Sequence, residues 1–495
     1  MGRSRGDSGS GAYVSSSDTY DPPSPSPSKH GKKTPKATIP VDMTDTITMP
    51  SMADQELNGG RLHNPEAVGA IRKHWITSRM RERAGEFASH RRSTIWCGTY
   101  NVNGKKDQGE DLSAWLTNLM PPDIYAIGLQ EIVDLNAVNV AVTDSKSKER
   151  AAMWRSQIER CLSTSCSYRL VAQRHLVGVL MFVFVREDHC RAGVIKDVQD
   201  TSVSTGIMGV MGNKGAVCVR LQAWDTTLCF VCSHLAAHRG NVEGRNADYW
   251  AIMSKASFDG EPETAWELRG LRGTDYSSGR TEGCLGILDS DTVFWMGDLN
   301  YRVAEEIPTE EVLQRVQTSE GLVYLRAHDQ LNVVRRGGTS AAFGAFEEGA
   351  LSFMPTYKYQ PGKHIHRTCT NAYEQRPEKK LRAPAWCDRV LWRSQERGHV
   401  SLSSYRSADL MLSDHMPVCA SLDVKLRELR ADKQAHVYEE VMHCINSWEG
   451  RTQVSKMRHY NITSSLAMLF ASNANDASCL YRSEALPLSA FHHWR

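Results

Sequence analysis

The chain has 495 residues, 41% apolar and 23% charged, which is enough for one large α/β domain with tails or for several small domains. Lysine plus arginine number 59 and aspartate plus glutamate 57, so the formal charge is +2. That balance argues against bulk electrostatic binding to nucleic acid, and an anionic ligand has to be met by a local basic cluster.

Residues 1–60, rich in Ser, Pro, Gly and Thr, are expected to be disordered, because such a stretch cannot bury enough apolar surface to offset its ordering entropy. The N-terminus lacks the apolar core of a secretory signal, and Gly6 stands where a myristoylation signal has Ser or Thr. Within a helix/linker segment, 61–93, Asn64-Pro65-Glu66 combines a cap, a first-turn proline and an acid, and predicts a helix running toward Gly85. From Thr94 to Val424 short apolar runs alternate with polar tips: TIWCGTYNVNG, DIYAIGLQEI, TLCFVCSHLAAH, DTVFWMGDLNYR, APAWCDRVLW and SDHMPVCASL. LVGVLMFVFV and GAVCVRLQAW read as buried strands without such tips, and Asp111–Leu119 and Thr309–Thr318 as helices. One large α/β domain of two packed sheets flanked by helices is expected over 94–424. Residues 260–288 read as an inserted surface loop, 425–450 as a helix carrying both charge signs, and 451–495 have no assignable periodicity. No apolar run approaches the ~18 residues of a membrane span. Thirteen scattered cysteines suit free thiols in a reducing, cytoplasmic setting, and the single C-x-x-C, Cys229 and Cys232, has no second pair to complete a zinc site.

The strand tips carry the chemistry. Asn101 and Asn103 end the first, Gln130 and Glu131 the second; Ser233, His234 and His238 follow the third, Asp298 and Asn300 the fourth. Asp388 lies in WCDR, and Asp414-His415 precedes a strand. Any one of these is an ordinary strand-to-loop turn, where Asn and Asp are favoured. Gathered at one edge of a sandwich they would form a polar pocket whose oxygens suit a hard cation such as Mg²⁺. Metal-assisted hydrolysis of a phosphate ester uses such a set. Cys387 through Ser394 formally matches the Cys-x5-Arg-Ser pattern of cysteine phosphatases, but the intervening DRVLW is bulky and strand-like, and an acid beside the thiolate repels phosphate. Cys387 is expected to be buried.

In order along the chain, GTYNVNG, GLQEI, TGIMGVMGNKGAV, SHLAAH, FWMGDLNYR, SFMPTYKY, APAWCDRVLW and SDHMPV resemble the inositol polyphosphate 5-phosphatases, most of all the type II (Lowe-syndrome) branch. The resemblance implies the four-layered α/β-sandwich of the endonuclease/exonuclease/phosphatase (DNase I-like) type. It implies that Glu131 and Asn101 hold Mg²⁺ and that Asp298 is the general base, with Asn300 and Asn103 beside it. His415, oriented by Asp388, is implied to bind the scissile phosphate, with Asp414 and His234 in the same pocket. Tyr357, Lys358, Lys380 and Arg382 match contacts to a 4-phosphate, although KKLR on its own reads sooner as a solvated basic face. Asn213 and Lys214 match the loop facing a 1-phosphate. Ile207, Met208 and Met211 on that Gly-rich loop read either as core or as membrane contacts.

The resulting expectation is a Mg²⁺-dependent phosphatase acting on phosphoinositides at a membrane surface, with phosphatidylinositol 4,5-bisphosphate as first substrate and soluble inositol phosphates as others. It is expected to be cytoplasmic and peripherally membrane-associated, with no nucleic acid partner. A nuclease of the same fold is the near rival. A non-catalytic lipid binder is the distant one, and it would have lost Asp298, Glu131 or His415.

Overall fold

The computed structural model describes residues 65–105, 109–133, 140–206, 214–260, 284–362 and 381–454. Strands Ala88–Asn101 (β1), Ile124–Gln130 (β2), Tyr168–Leu176 (β3), Val179–Arg186 (β4), Val400–Ser407 (β13) and Val418–Leu429 (β14) form one six-stranded sheet, ordered β13-β14-β1-β2-β4-β3. Strands Ile195–Ser204 (β5), Gly215–Ala223 (β6), Thr226–His234 (β7), Thr292–Asp298 (β10), Glu347–Glu348 (β11) and Asp388–Ser394 (β12) form the other, ordered β11-β12-β10-β7-β6-β5. Phe258–Asp259 (β8) and Cys284–Leu285 (β9) make a separate two-stranded ribbon.

Alternation along the strands sorts side chains into layers. Ile95, Cys97, Val217, Phe230, Phe294 and Met296 are buried between the sheets. Trp96 and Tyr125 face the other way, where they meet Trp154 of the helix Val140–Leu162. Ala151, Trp154, Ile158 and Leu162 recur at three- and four-residue intervals and lay one helical stripe on that sheet. Outside the second sheet, Trp295 packs with Tyr249 and Ile252 of the helix Val242–Lys255. Helix, sheet, sheet, helix is the four-layered sandwich expected.

Each sheet is built around one parallel pair, β1 with β2 and β7 with β10. β14 and β12 run antiparallel beside β1 and β10. The C-terminal ends of the parallel strands and the N-terminal ends of their antiparallel neighbours therefore share one edge, which is where the polar tips lie.

Several expected boundaries move. β1 starts at Ala88 and β14 runs to Leu429, so the sheet outruns 94–424 at both ends. KLREL is strand, not helix: it continues β14 in antiparallel register with β1, Lys425 opposite Arg92 and Leu429 opposite Ala88. The C-terminal helix is Ala431–Val454; its Val437, Val441 and Ile445 pack on Ile76 and Met80 of the helix Pro65–Glu82. Asp111–Leu119 yields one helical turn, Ser113–Leu116, before Pro121-Pro122. The 260–288 stretch is not loop throughout: Cys284–Leu285 pairs with Phe258–Asp259, and Leu285 and Ile287 are buried. The predicted tail 1–60, the Asn64 cap, most of 451–495 and the middle of that loop lie outside the described residues. Among the described residues no helix is long and apolar enough to cross a membrane.

Candidate active site

Strand register brings the central groups together. Asp298 stands directly opposite His234 on one neighbour and Asp388 on the other. Residues paired in this way share a face of the sheet at about 5 Å spacing. Across the core, Asn101 ends β1, and its Nδ2 donates to Asp298 Oδ2 at 3.0 Å, joining the two sheets. Glu131 follows β2 by one residue, and its Oε1 lies 3.8 Å from His234 Nε2. His415 enters just before β14; its Nδ1 lies 2.9 Å from Asp388 Oδ2 and its Nε2 4.0 Å from Asp298 Oδ2.

The chain turns sharply at these tips. Asn103, Glu131 and Asn300 all take left-handed φ values, 50°, 53° and 56°. Asn tolerates that region; Glu does so only when its surroundings hold it. At Gly297 (φ 146°) a Cβ would lie 2.0 Å from the Ser233 carbonyl, so only glycine lets β10 lie against β7 immediately before Asp298.

Electrostatics set the protonation states. Burial alone would raise the Asp298 carboxyl, but His234, His415 and Lys214 hold it well below the ordinary range. His234 Nε2 lies 3.2 Å from Asp298 Oδ2 and also meets Lys214 Nζ. Burial would lower His415, yet the charge and hydrogen bond of Asp388, helped by Asp298 and Asp414, push it up to about 9. Asp388 is raised by burial against the pull of His415, and its Oδ2 also accepts from Thr356 Oγ1 at 2.6 Å. The pair thus keeps a proton across neutral pH, leaving an imidazolium whose Nε2 faces Asp298. Lys214 is lowered by burial, with Asp298 and Glu131 opposing.

Oxygen donors suit a hard cation here. Ligand atoms of Asp298, Asp388 and His415 lie within 4.8 Å of one another, but a protonated imidazole repels a cation. Glu131 fits better. Its side chain is 35% exposed, and its one ion-pair partner among the described residues is His234, so lone pairs remain for a metal. Asn101 Oδ1 accepts the Asn103 N–H at 2.9 Å and keeps a second lone pair.

The cysteine mechanism fails on geometry. Cys387 is fully buried, burial pushes its thiol up, and the following residues form β12 instead of curling into a phosphate cradle. Cys229 and Cys232 fall on opposite faces of β7, one in the outer core and one between the sheets.

Asn101, Asn103, Glu131, His234, Asp298, Asn300, Asp388, Asp414 and His415 are therefore brought to one edge. Lys214, half-buried, joins them through its contact with His234. The Tyr357 ring lies 4.6 Å from that of His415, and Lys358 Nζ donates to Asp414 Oδ2 at 2.6 Å. Arg382 is exposed on the segment entering β12. Ile207, Met208, Met211, Asn213 and Lys380 lie outside the described residues. Three contributors escaped the sequence reading: Thr356; Ser413, which donates to the Asn101 carbonyl at 2.6 Å and accepts the His415 N–H at 3.1 Å; and Arg302, which reaches Asn300. Each stands inside a quoted motif, one or two residues from a titratable group.

The two-sheet sandwich with its polar edge defines an endonuclease/exonuclease/phosphatase protein, and the family model described as Endonuclease/Exonuclease/phosphatase family 2 matches residues 98–421. A crystal structure of the inositol polyphosphate 5-phosphatase domain of Spsynaptojanin, in complex with inositol (1,4)-bisphosphate and calcium, is similar at 30% identity and a TM-score of 0.60, covering 78% of this chain and 99% of that one. Within the class, the chain belongs to the inositol polyphosphate 5-phosphatase family. Type II inositol 1,4,5-trisphosphate 5-phosphatase of Mus musculus is 34% identical over 356 residues, covering 72% of this chain and 32% of the relative. Synaptojanin-1 of Homo sapiens is 32% identical over 428 residues, covering 77% and 24%. The chain thus spans a third or less of these relatives' length, and the similarity does not single out the type II branch.

Proposed function

We propose that this domain hydrolyses the 5-phosphate of phosphoinositides, with phosphatidylinositol 4,5-bisphosphate as first substrate, at a cytoplasmic membrane surface and with Mg²⁺ held by Glu131 and Asn101. The observation that carries the reading is the ionised, buried Asp298, held between two imidazoles and tied to Asn101 across the sheets. The calcium in the related Spsynaptojanin structure supports a divalent site. Bound there, Mg²⁺ would neutralise phosphate charge. The His415 imidazolium, Lys214 and His234 would donate to the phosphate oxygens. Asp298 would accept the proton of the attacking water, oriented with help from Asn300.

A carboxylate held so firmly ionised is a weak base at rest. An arriving phosphate places negative charge beside it and draws Lys214 and His415 toward its own oxygens, which restores basicity. Tyr357, Lys358, Lys380 and Arg382 are assigned to the 4-phosphate, with Lys358 exchanging Asp414 for it. Asn213 is assigned to the 1-phosphate, and Ile207, Met208 and Met211 to the membrane. The inositol (1,4)-bisphosphate in the Spsynaptojanin domain favours soluble inositol phosphates as the second substrate class.

Phosphate release from short-chain phosphoinositides and soluble inositol phosphates, with EDTA or Mg²⁺, tests the reading. Release confined to 5-phosphorylated compounds, abolished by EDTA and restored by Mg²⁺, is expected. Release that ignores the 5-position, or that survives chelation, would overturn it.

A further inference from the structure

We propose that Arg302 is a positioning residue of this centre, a single guanidinium that fixes Asn300 on one side and the Tyr357–His415 stack on the other. The inference rests on the phosphatase reading of the site. Arg302 follows β10 by four residues, and its main chain is clamped by Gln330: its N–H donates to Gln330 Oε1 at 2.8 Å, and its carbonyl accepts the Gln330 N–H at 2.8 Å. Gln330 is itself pinned, accepting from Arg245 Nη2 at 2.7 Å and donating to the Arg239 carbonyl at 2.9 Å.

From that anchored backbone the side chain reaches back. Arg302 Nη2 donates to Asn300 Oδ1, and Nε donates to the Asn300 carbonyl at 3.2 Å. Asn300 Nδ2 donates in turn to the Leu235 carbonyl at 3.1 Å. Both ends of the Asn300 amide are therefore fixed and cannot exchange, while one lone pair and one N–H remain for water and phosphate. The guanidinium also lies 4.2 Å over the Tyr357 ring, whose neighbour at 4.6 Å is the His415 imidazole. Planarity allows Arg302 to donate in its plane and stack with its face; a lysine ammonium does one or the other. Arg302 thus links a group beside Asp298 to the group opposite it, and the two are set by one rigid plane.

The test compares the wild-type chain with Arg302→Lys and Tyr357→Leu by kinetics on short-chain phosphatidylinositol 4,5-bisphosphate and by side-chain NMR of Asn300 and His415 in metal-free protein. Arg302→Lys is expected to lower kcat by about ten- to a hundredfold, the scale of a small misplacement of reacting groups. KM should stay within about threefold of wild type, and both the Asn300 amide and His415 ring signals should move. Tyr357→Leu should move the His415 signals and leave those of Asn300 in place. Unchanged kcat with unmoved signals would overturn the proposal; so would a loss carried by KM alone, which would make Arg302 a direct phosphate contact. If Arg302→Lys does not fold, Tyr357→Leu decides, since unmoved His415 signals there contradict the stack. If wild-type protein releases no phosphate from any substrate, the phosphatase reading fails, and the NMR comparison still judges the clamp.

Discussion

Glu131 shows the conflict between backbone and chemistry at the residue scale. Its φ of 53° costs a residue with a Cβ about 1–2 kcal/mol, and the carboxylate is held there beside His234. Glu131→Gly should therefore raise unfolding stability by roughly 1 kcal/mol in urea titrations while removing Mg²⁺-dependent turnover. A glycine variant less stable than the parent would show that the contact with His234 outweighs the backbone strain. His415 governs pH. Its folded pKa of about 9 exceeds the ordinary 6.5, so the stability it contributes is complete below 6.5 and disappears as pH rises through 9. Asp298 is displaced the other way, so its contribution is present above 3.8 and is lost as pH falls through and below that value. A kcat/KM profile should accordingly fall on the alkaline side near 9, and His415→Asn should be severely impaired with that limb gone. An alkaline limb that survives in the variant would assign it to another group.

At the scale of elements, the site depends on how closely β7 and β10 approach at their ends. Gly297→Ala places a Cβ against the Ser233 carbonyl in a backbone region that disfavours side chains, and should cost roughly 3 kcal/mol, read as a lowered urea midpoint. A loss below about 1 kcal/mol would mean that the strands can separate locally without cost. The same strand ends explain what was legible in the sequence. WMGDLN, CSHLAAH and APAWCDR place an uninterrupted buried run directly before a polar cluster, and nothing but a strand entering a pocket combines the two. Edge strands were harder to read: in Ile195–Ser204 and Val400–Ser407 few positions are fully buried, so their composition is that of a loop. The helix Val140–Leu162 was missed because its apolar stripe is narrow and its remaining surface strongly charged. Lys214 was matched to the loop facing a 1-phosphate; its place beside His234 depends on β6 pairing with β7, which the local sequence does not encode.

Across the described residues, the polar site and the first and last helices are segregated. The polar groups occupy one edge of the sandwich. The helices Pro65–Glu82 and Ala431–Val454 close over the opposite end, next to where β1 begins and β14 finishes. Met80→Ala should then cost about 2 kcal/mol, the lower range for a buried methionine, and leave kcat within about twofold. A parallel loss of kcat and stability would show that the clasp and the site are coupled.

The order in which the strands enter the sheets has a further consequence. The second sheet is made from one uninterrupted stretch, β5 to β12, whereas the first is begun by β1–β4 and completed only by β13 and β14. β1 therefore waits for its long antiparallel partner until nearly the whole domain has left the ribosome, and His415 arrives with that partner. A chain that stops short of β14 contains Asp298 and His234 but lacks the His415 imidazole that stands beside Asp298. The last group of the site is thus supplied by the same segment that closes the first sheet.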